Sequence, residues 1–208
     1  MKKKYLICAF LLILFLSILV LVLTGNSTGI DNYFYNLIAG NITDKKTSIF
    51  MFITFLGSTK FIVGLCAILL ISFIVLKNKW YGFNICIALI TSTLVNNLLK
   101  IIIARERPDV TKLVVEHSYS FPSGHTMAAT MMFGMLIYYI NQSKMNNYIK
   151  SILSIFMISI IIMVGISRVY LGAHFVTDVL AGMIVSTILL IIITDRIENS
   201  KIKKCNLQ

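Results

Sequence analysis

Charged residues are scarce in this chain, and acidic ones are the scarcest: 8 Asp and Glu stand against 19 Lys and Arg among 208 residues. Only 13% of the residues are charged and 58% are hydrophobic, and the mean hydropathy is +0.88. In a soluble domain roughly a quarter of all residues are charged. A soluble domain of this length could not bury so much apolar surface. The composition therefore excludes an ordinary soluble protein and indicates one whose surface largely faces lipid.

Two further classes of protein are disfavoured by what the sequence lacks. The formal net charge of +11 would suit a nucleic-acid binder, but the lysines cluster at the ends of apolar runs, which is typical of membrane proteins. No nucleic-acid partner is therefore expected. The four cysteines, Cys8, Cys66, Cys86 and Cys205, form no C-x-x-C pair and have no histidine nearby. We expect from them neither a disulfide framework nor a metal site.

A signal-peptide cleavage site is also missing. The apolar run at residues 5–23 follows three lysines, and no A-x-A sequence comes after it. Its length of about 19 residues exceeds the core of a signal peptide, which is typically about 7–15 residues. We expect this run to be a retained first span.

Further apolar stretches predict an all-α, polytopic bundle of about six transmembrane helices, since a span needs about 20 mostly apolar residues. Residues 47–76 are too many for one span, and Gly57-Ser58 divides them into an interfacial or re-entrant piece and a span that begins near Phe61. The other predicted spans are 80–99, 126–140, 151–166 and 179–194. Because no repeat or low-complexity segment interrupts the chain, residues 1–208 are expected to form a single transmembrane domain.

The basic residues predict the orientation. With six spans both termini lie on one side of the membrane, which the positive-inside rule places in the cytoplasm. The basic residues assigned to that side are Lys2, Lys3, Lys4, Lys77, Lys79, Lys144, Lys150, Arg196, Lys201, Lys203 and Lys204. Lys100, Arg107 and Arg168 fall on the opposite side, where they need another explanation.

Proline and histidine are rare as well, and their few copies cluster. Of the two prolines and three histidines, all but His117 lie in three segments: residues 100–108 (KIIIARERP), 121–125 (FPSGH) and 167–178 (SRVYLGAHFVTD). These segments lie at the end of the third predicted span, the start of the fourth, and the junction of the fifth and sixth. Because consecutive spans alternate in direction, all three segments should meet at the outer membrane interface.

The first segment places two cations seven residues apart. On a continuous helix Lys100 and Arg107 would share a face two turns apart, and Pro108 would end that helix. Cations so close to a membrane helix are costly unless they snorkel, pair or serve a function. Arg105 falls off the shared face and is expected to be an interfacial residue.

The second segment is predicted to open the fourth span. Proline suits the first turn of a helix, and Gly124 would let a ligand approach the backbone closely. The unpaired amides and the positive dipole end of a helix N-terminus attract anions. His125, in the same turn, could meet an anion bound there.

The third segment pairs His174 with Asp178, four residues later and so on the same helical face. A carboxylate on one imidazole nitrogen leaves the other nitrogen free to act as a nucleophile or base. Alone, the pair could simply satisfy its own polar groups. Arg168, whose planar guanidinium suits phosphate, favours the functional interpretation.

Together the three segments resemble the motifs K-x6-R-P, P-S-G-H and S-R-x5-H-x3-D of the type 2 phosphatidic acid phosphatase superfamily, which also includes vanadium haloperoxidases. Every defining position matches between Lys100 and Asp178. The resemblance implies that His174 attacks phosphorus to form a phosphohistidine while Asp178 holds its ring. It implies that His125 protonates the leaving oxygen and then helps to activate water. The residues implied in phosphate binding are Lys100, Arg107, Ser123, the backbone of Gly124, and Arg168.

The resemblance predicts a phosphatase for lipids, with phosphatidic acid, phosphatidylglycerol phosphate and undecaprenyl diphosphate as candidate substrates. Three cations and helix-end amides suit the charge of a phosphoryl transition state. No cofactor is expected, because no carboxylate cluster suited to Mg²⁺ is visible. Alternatives are a phosphotransferase with an acceptor other than water and a non-catalytic membrane protein. A haloperoxidase fits less well, because the chain has no sizeable soluble part. Glu116 and His117 lie in the loop of residues 109–121, which is expected to be solvated, with contact to the lipid head group as the alternative. The oligomeric state is left open.

Overall fold

Helices follow the apolar runs of the sequence almost throughout. The computed structural model describes residues 2–205, and for residues 201–205 only the backbone. This part of the chain forms eight α-helices. They are α1 (Lys2–Leu23), α2 (Thr28–Ala39), α3 (Asp44–Phe55), α4 (Thr59–Val75), α5 (Lys79–Ile103), α6 (Gly124–Gln142), α7 (Asn147–Tyr170) and α8 (Val176–Cys205).

Several helices have the length and the surface of membrane spans. Within the described chain, α1, α5, α7 and the Val176–Ser200 part of α8 are each long and apolar enough to cross a bilayer. In the most apolar 18-residue windows of α1 and α7, only 11% of the residues are buried inside the protein. Helices that are apolar on nearly every side and yet exposed have lipid as their solvent. The prediction of an all-α membrane bundle is confirmed.

Helices α3 and α4 form one bent unit. They meet at 42° and together pass the same test of length and composition, which raises the number of candidate spans in the described residues from four to five. The break falls at Gly57-Ser58, where the sequence predicted it. The Ser58 side chain caps α4 by accepting from the N–H of Phe61 at 3.2 Å. A Cβ on Gly57 would lie 2.6 Å from Cγ1 of Val164, so only glycine lets this turn pack so closely against α7.

Helix α6, at the predicted fourth span, is not among the helices that pass that test by themselves. It is instead surrounded by protein. Met131, Met132 and Met135 are fully buried in a cluster that includes Ile62 of α4 and Ile85 of α5. Because protein covers most of this helix, it needs less hydropathy than a lipid-facing span. The packing also fixes the position of its first turn.

Four helix ends meet on one side of the bundle. Helix α5 ends at Ile103, α6 begins at Gly124, α7 ends at Tyr170 and α8 begins at Val176. The three motif segments contain these ends. The predicted convergence of the segments is therefore observed.

The prediction that one helix carries both Lys100 and Arg107 is wrong. Ala104 adopts a left-handed conformation with φ of 49°, and its N–H donates to the carbonyl of Lys100 at 2.9 Å. This backbone geometry ends α5 at Ile103, five residues before Pro108. Arg105 and Arg107 therefore extend from a loop, where helical spacing does not determine their directions.

Two of the cysteines contact each other. Cys66 of α4 and Cys86 of α5 are free thiols whose sulfur atoms lie 3.2 Å apart. Part of the cysteine and orientation predictions rested on side chains near the C-terminus. These side chains lie outside the described residues: Lys201, Lys203, Lys204 and Cys205.

Candidate active site

A cavity of about 210 Å³ opens where the helix ends meet. Lys100, Arg107, His125 and His174 line one part of it. The remaining lining residues are Gly57, Thr59, Ser92, Thr93, Asn96, Asn97, Glu116, Ser118, Gly124, Met127 and Ala128. The fold thus brings side chains from all three motif segments to one space. Among the described residues, no group of three His, Cys, Asp or Glu is placed to hold a metal ion.

His174 lies in the short loop between α7 and α8 and is only 2% exposed. Its Nδ1 lies 3.3 Å from Oγ of Ser120 and 3.6 Å from Oδ2 of Asp178. The second distance is too long for a hydrogen bond, so Ser120 is the closer partner of this nitrogen. Nε2 faces the other way and lies 3.4 Å from Nη1 of Arg107. These contacts assign the proton to Nδ1 and leave the lone pair on Nε2.

The protonation state of His174 follows from its surroundings. Burial lowers the pKa of its imidazole to about 4, and the opposing effect of Asp178 does not overcome the loss of solvation. At neutral pH the ring is therefore uncharged. A neutral imidazole with Nε2 unprotonated is the form that can attack an electrophile.

Asp178 is fully buried and has a partner at each oxygen. Oδ2 accepts from Oγ of Ser120 at 2.5 Å and from the N–H of Phe175 at 3.0 Å, while Oδ1 accepts from Nη1 of Arg105 at 2.6 Å. Asp178 lies in the first turn of α8, and its bond to the N–H of Phe175 caps the N-terminus of that helix. Local helix capping and the contact with Arg105 thus fix the carboxylate beside His174.

Backbone carbonyls hold two of the predicted phosphate-binding cations in place. Nε of Arg107 donates to the carbonyl of Ser118 and Nη1 to that of Ala173, both at 2.7 Å. Lys100 is 8% exposed, and its Nζ donates to the carbonyl of Tyr119. These carbonyl partners orient both side chains, which line the cavity.

Arg168 is the most deeply buried of these cations, with 2% exposure. Nη1 donates to Oγ1 of Thr54 at 2.8 Å and Nη2 donates to Oε1 of Glu116. Its Nε is buried and has no hydrogen-bond partner. A buried donor without a partner is costly in a native structure and indicates a site for an acceptor.

Glu116 is not the solvated loop residue that the sequence predicted. Its carboxylate binds Arg168 and lies 3.9 Å from Nη2 of Arg107. Burial alone would raise the pKa of Glu116, but the charges of Arg168, His125 and Arg107, together with the hydrogen bond from Arg168, outweigh burial and hold the pKa below the usual value. An internal carboxylate therefore sits among the cations that were predicted to bind phosphate.

The start of α6 brings Gly124 and His125 to the cavity but not the side chain of Ser123. Ser123 is fully buried, and its hydroxyl accepts from Oγ1 of Thr126 at 2.9 Å. At Gly124 a Cβ would lie 3.2 Å from Oδ1 of Asn96, which itself donates from Nδ2 to the carbonyl of Pro122. Because α6 begins at Gly124, the first amides of the helix have no partner within it.

The prediction that Arg105 is an interfacial residue is wrong. Its side chain is 13% exposed and forms ion pairs with Asp178 at 2.6 Å and with Asp31 at 2.7 Å. Sequence reasoning missed Asp31 and Ser120 as well. The sequence carries no local signal for either residue, because both depend on contacts between segments far apart in the chain.

Comparison with known proteins identifies the class. Residues 81–201 match the PAP2 superfamily, and the chain belongs to it. With its apolar helices, the chain is a membrane-embedded lipid phosphatase of that superfamily. The family resemblance and the class of enzyme predicted from the motifs are confirmed.

Individual relatives are similar in sequence and structure. The chain is 37% identical to phosphatidylglycerophosphatase B of Bacillus subtilis (strain 168) over 146 residues, which cover 68% of this chain and 70% of that protein. The crystal structure of a transmembrane PAP2-type phosphatidylglycerolphosphate phosphatase from Bacillus subtilis has a TM-score of 0.87 and 30% identity, covering 92% of this chain and 96% of the other. Aquifex aeolicus LpxE is more distant: its crystal structure has a TM-score of 0.61 and 26% identity and covers 77% and 92% of the two chains.

Proposed function

We propose that this chain hydrolyses the phosphate monoester of phosphatidylglycerol phosphate through a phosphohistidine formed on His174. The observation that carries the proposal is the orientation of the buried, neutral imidazole. Nδ1 lies against Ser120 and the Asp178 carboxylate, while Nε2 faces the cavity beside Arg107. Similarity in sequence and in structure to phosphatidylglycerolphosphate phosphatase of Bacillus subtilis favours this substrate.

The first step makes a bond between Nε2 of His174 and phosphorus and breaks the bond from phosphorus to the lipid oxygen. His125, which lines the same cavity, is protonated when the anionic phosphate is bound beside it and gives this proton to that oxygen, so the lipid leaves as an alcohol. Asp178 and Ser120 stabilise the Nδ1 proton as the ring gains positive charge.

The second step returns the enzyme to its starting state. His125 takes a proton from a water molecule that attacks phosphorus, and the P–N bond breaks to release inorganic phosphate. Charge on the phosphoryl oxygens is balanced in both steps by Lys100, Arg107 and Arg168, and by the amide of Gly124 at the start of α6. These positive groups form no covalent bond to the substrate; they stabilise the transition state because they are held in fixed positions.

A lipid substrate is supported by the polar groups of α5. Thr93 and Asn97 are exposed on a helix long and apolar enough to span the membrane, yet both line the cavity. Polar side chains facing hydrocarbon are costly unless they serve a polar space. Thr59, at the start of α4, lines the same cavity. A polar path between α4 and α5 would admit a phosphorylated head group while the acyl chains stay in the bilayer.

Substrate identity is tested by phosphate release from the purified protein in detergent. The panel is phosphatidylglycerol phosphate, phosphatidic acid and undecaprenyl diphosphate, each with and without EDTA. We expect the first to have the highest kcat/KM, EDTA to have no effect, and vanadate, which mimics five-coordinate phosphorus, to inhibit. A preference for another lipid would contradict the substrate. A requirement for Mg²⁺, or activity that survives His174→Ala, would contradict the mechanism.

A further inference from the structure

Arg105 lies between two buried carboxylates. Asp31 is 1% exposed and Asp178 is 0% exposed, and each forms an ion pair with a different Nη of the same guanidinium. The phosphate-binding set proposed above does not include Arg105, because both of its Nη atoms are engaged by carboxylates. A buried ion pair is costly to break, because removal of one partner leaves an uncompensated charge. The three groups should therefore behave as one unit.

Arg105 also fixes both partners of the imidazole Nδ1. Its side chain holds Oδ1 of Asp178, which leaves Oδ2 free to face His174 and Ser120. Its backbone carbonyl accepts from the N–H of Ser120 at 2.8 Å, so the main chain at position 105 lies beside the residue whose hydroxyl faces Nδ1. In addition, its guanidinium lies 3.9 Å from the ring centroid of Phe175, the residue that follows His174.

Asp31 ties this arrangement to the start of α8. Its Oδ1 accepts from the N–H of Thr177 at 3.1 Å and from the Thr177 hydroxyl at 2.9 Å. The backbone N–H is one of the first amides of α8, which favour a negative charge. Asp31 belongs to α2, which the apolar pattern of the sequence did not reveal. Helix α2 thus supplies a cap for the helix that carries Asp178.

We propose that Arg105 and Asp31 are positioning residues, which hold Asp178 and Ser120 against Nδ1 of His174 without touching the substrate. The inference rests on the proposed role of His174 as nucleophile. Loss of Arg105 would leave Asp178 without the cation that orients it, and the imidazole would lose its fixed tautomer and direction. The phosphate-binding cations would remain, so substrate binding should change little while the rate of the chemical step falls.

The test compares Arg105→Gln with Arg107→Gln, two substitutions of one residue type in one loop. For Arg105→Gln we expect kcat to fall about 10–100-fold with KM nearly unchanged, as for other residues that orient a reacting group from behind. For Arg107→Gln we expect KM to rise. Orthophosphate should still raise the Tm of Arg105→Gln. That result would show that the cavity of the variant is folded and binds phosphate. A rise in KM equal to that of Arg107→Gln, or an unchanged kcat, would overturn the proposal.

A second substitution keeps the test decisive if Arg105→Gln does not fold. Asp31→Asn preserves the size of the side chain and should lower kcat severalfold without raising KM. Its effect should largely disappear in an Arg105→Gln background if both variants fold, because the two residues act through one carboxylate. Additive effects, or normal kcat in folded Asp31→Asn, would contradict the coupling. If His174→Gln and Arg107→Gln are both fully active, the proposed function itself fails, and the two kinds of failure stay distinguishable.

Discussion

Two groups of polar side chains surround His174, one on each side of the ring. Behind Nδ1, Ser120 and Asp178 form a fixed support, and in front of Nε2 the cations of the cavity provide positive charge. Glu116 pairs with Arg168 in the second group. A phosphate group that used both Nε and Nη2 of Arg168 would have to displace this carboxylate from Nη2.

Competition between Glu116 and phosphate predicts the effect of Glu116→Gln. The substitution keeps the size of the side chain but removes the negative charge beside Arg168 and Arg107. We expect vanadate to inhibit this variant at roughly tenfold lower concentration, which corresponds to about 1.4 kcal/mol. Glu106→Gln, in the same loop but exposed, is the matched control and should leave the inhibition constant unchanged. Equal or weaker inhibition of Glu116→Gln would refute the competition.

Burial of His174 predicts how stability depends on pH. The folded protein lowers the pKa of this imidazole to about 4, below the value of about 6.5 in an unfolded chain. Between those pH values the unfolded state binds a proton that the folded state does not. The stabilising contribution of the neutral ring is therefore complete above about pH 6.5 and is lost as the pH falls towards 4.

The measurement is the thermal unfolding of the wild type and of His174→Gln in detergent, from pH 7 to pH 4. The Tm of the wild type should fall more steeply than that of the variant over this interval. Parallel curves for the two proteins would contradict the neutral, buried imidazole.

The motif segments predicted that charged and histidine side chains meet around His174, and the structure brings Lys100, Arg107 and His125 to its cavity. The roles of these residues stay predictions. Arg105 was misassigned because helical geometry does not continue beyond Ile103, where α5 ends. Asp31 was missed for another reason: its partner Thr177 is 146 positions away, and a contact over that separation is set by tertiary packing.

At the scale of elements, the end of α5 decides which arginine faces which group. Ala104 holds a positive φ of 49°, a conformation that costs a residue with a Cβ about 1 kcal/mol. The turn at this residue sends Arg105 towards Asp178 and Arg107 towards the cavity. A helix continued to Pro108 would have placed them differently.

This backbone conformation predicts that Ala104→Gly stabilises the protein. Glycine adopts a positive φ at little cost, so the Tm in detergent should rise by roughly 2–4 °C. Ala67→Gly provides a control with the opposite sign, because Ala67 is exposed in the middle of α4, where glycine weakens a helix. A lower Tm for Ala104→Gly would show that the left-handed turn is not the conformation in solution.

Apolar length predicted the membrane helices well but could not reveal α2 or the central position of α6. Helix α2 is only 12 residues long and carries a buried Asp31, so it gives no span signal. Helix α6 is covered by other helices rather than by lipid, and hydropathy does not distinguish those two environments. The break between α3 and α4 was predictable because glycine and serine at a helix boundary act locally.

At the scale of the whole molecule, the distribution of lysines and arginines still predicts that the termini face the cytoplasm and that the cavity opens outside the cell. The single-domain organisation likewise stays a prediction. Both concern the entire chain in a bilayer, whereas the contacts around His174 are internal to the protein.

Orientation is tested with single cysteines in a variant whose four native cysteines are replaced by serine. His117→Cys, in the exposed part of the loop beside the cavity, should react in intact cells with a maleimide that cannot cross membranes. Lys144→Cys, exposed between α6 and α7, should react only after permeabilisation. The reverse pattern would contradict the orientation.

The central claim is that His174 attacks phosphorus, and trapping the intermediate tests it most directly. Protein mixed with phosphatidylglycerol phosphate is quenched in alkali within milliseconds and digested, and its peptides are analysed by mass spectrometry. We predict a phosphoryl group on the histidine of the peptide that contains His174, absent from His174→Gln and increased when His125→Gln slows its hydrolysis. Phosphate release at the full rate with no phosphorylated His174 peptide at any time would contradict the mechanism.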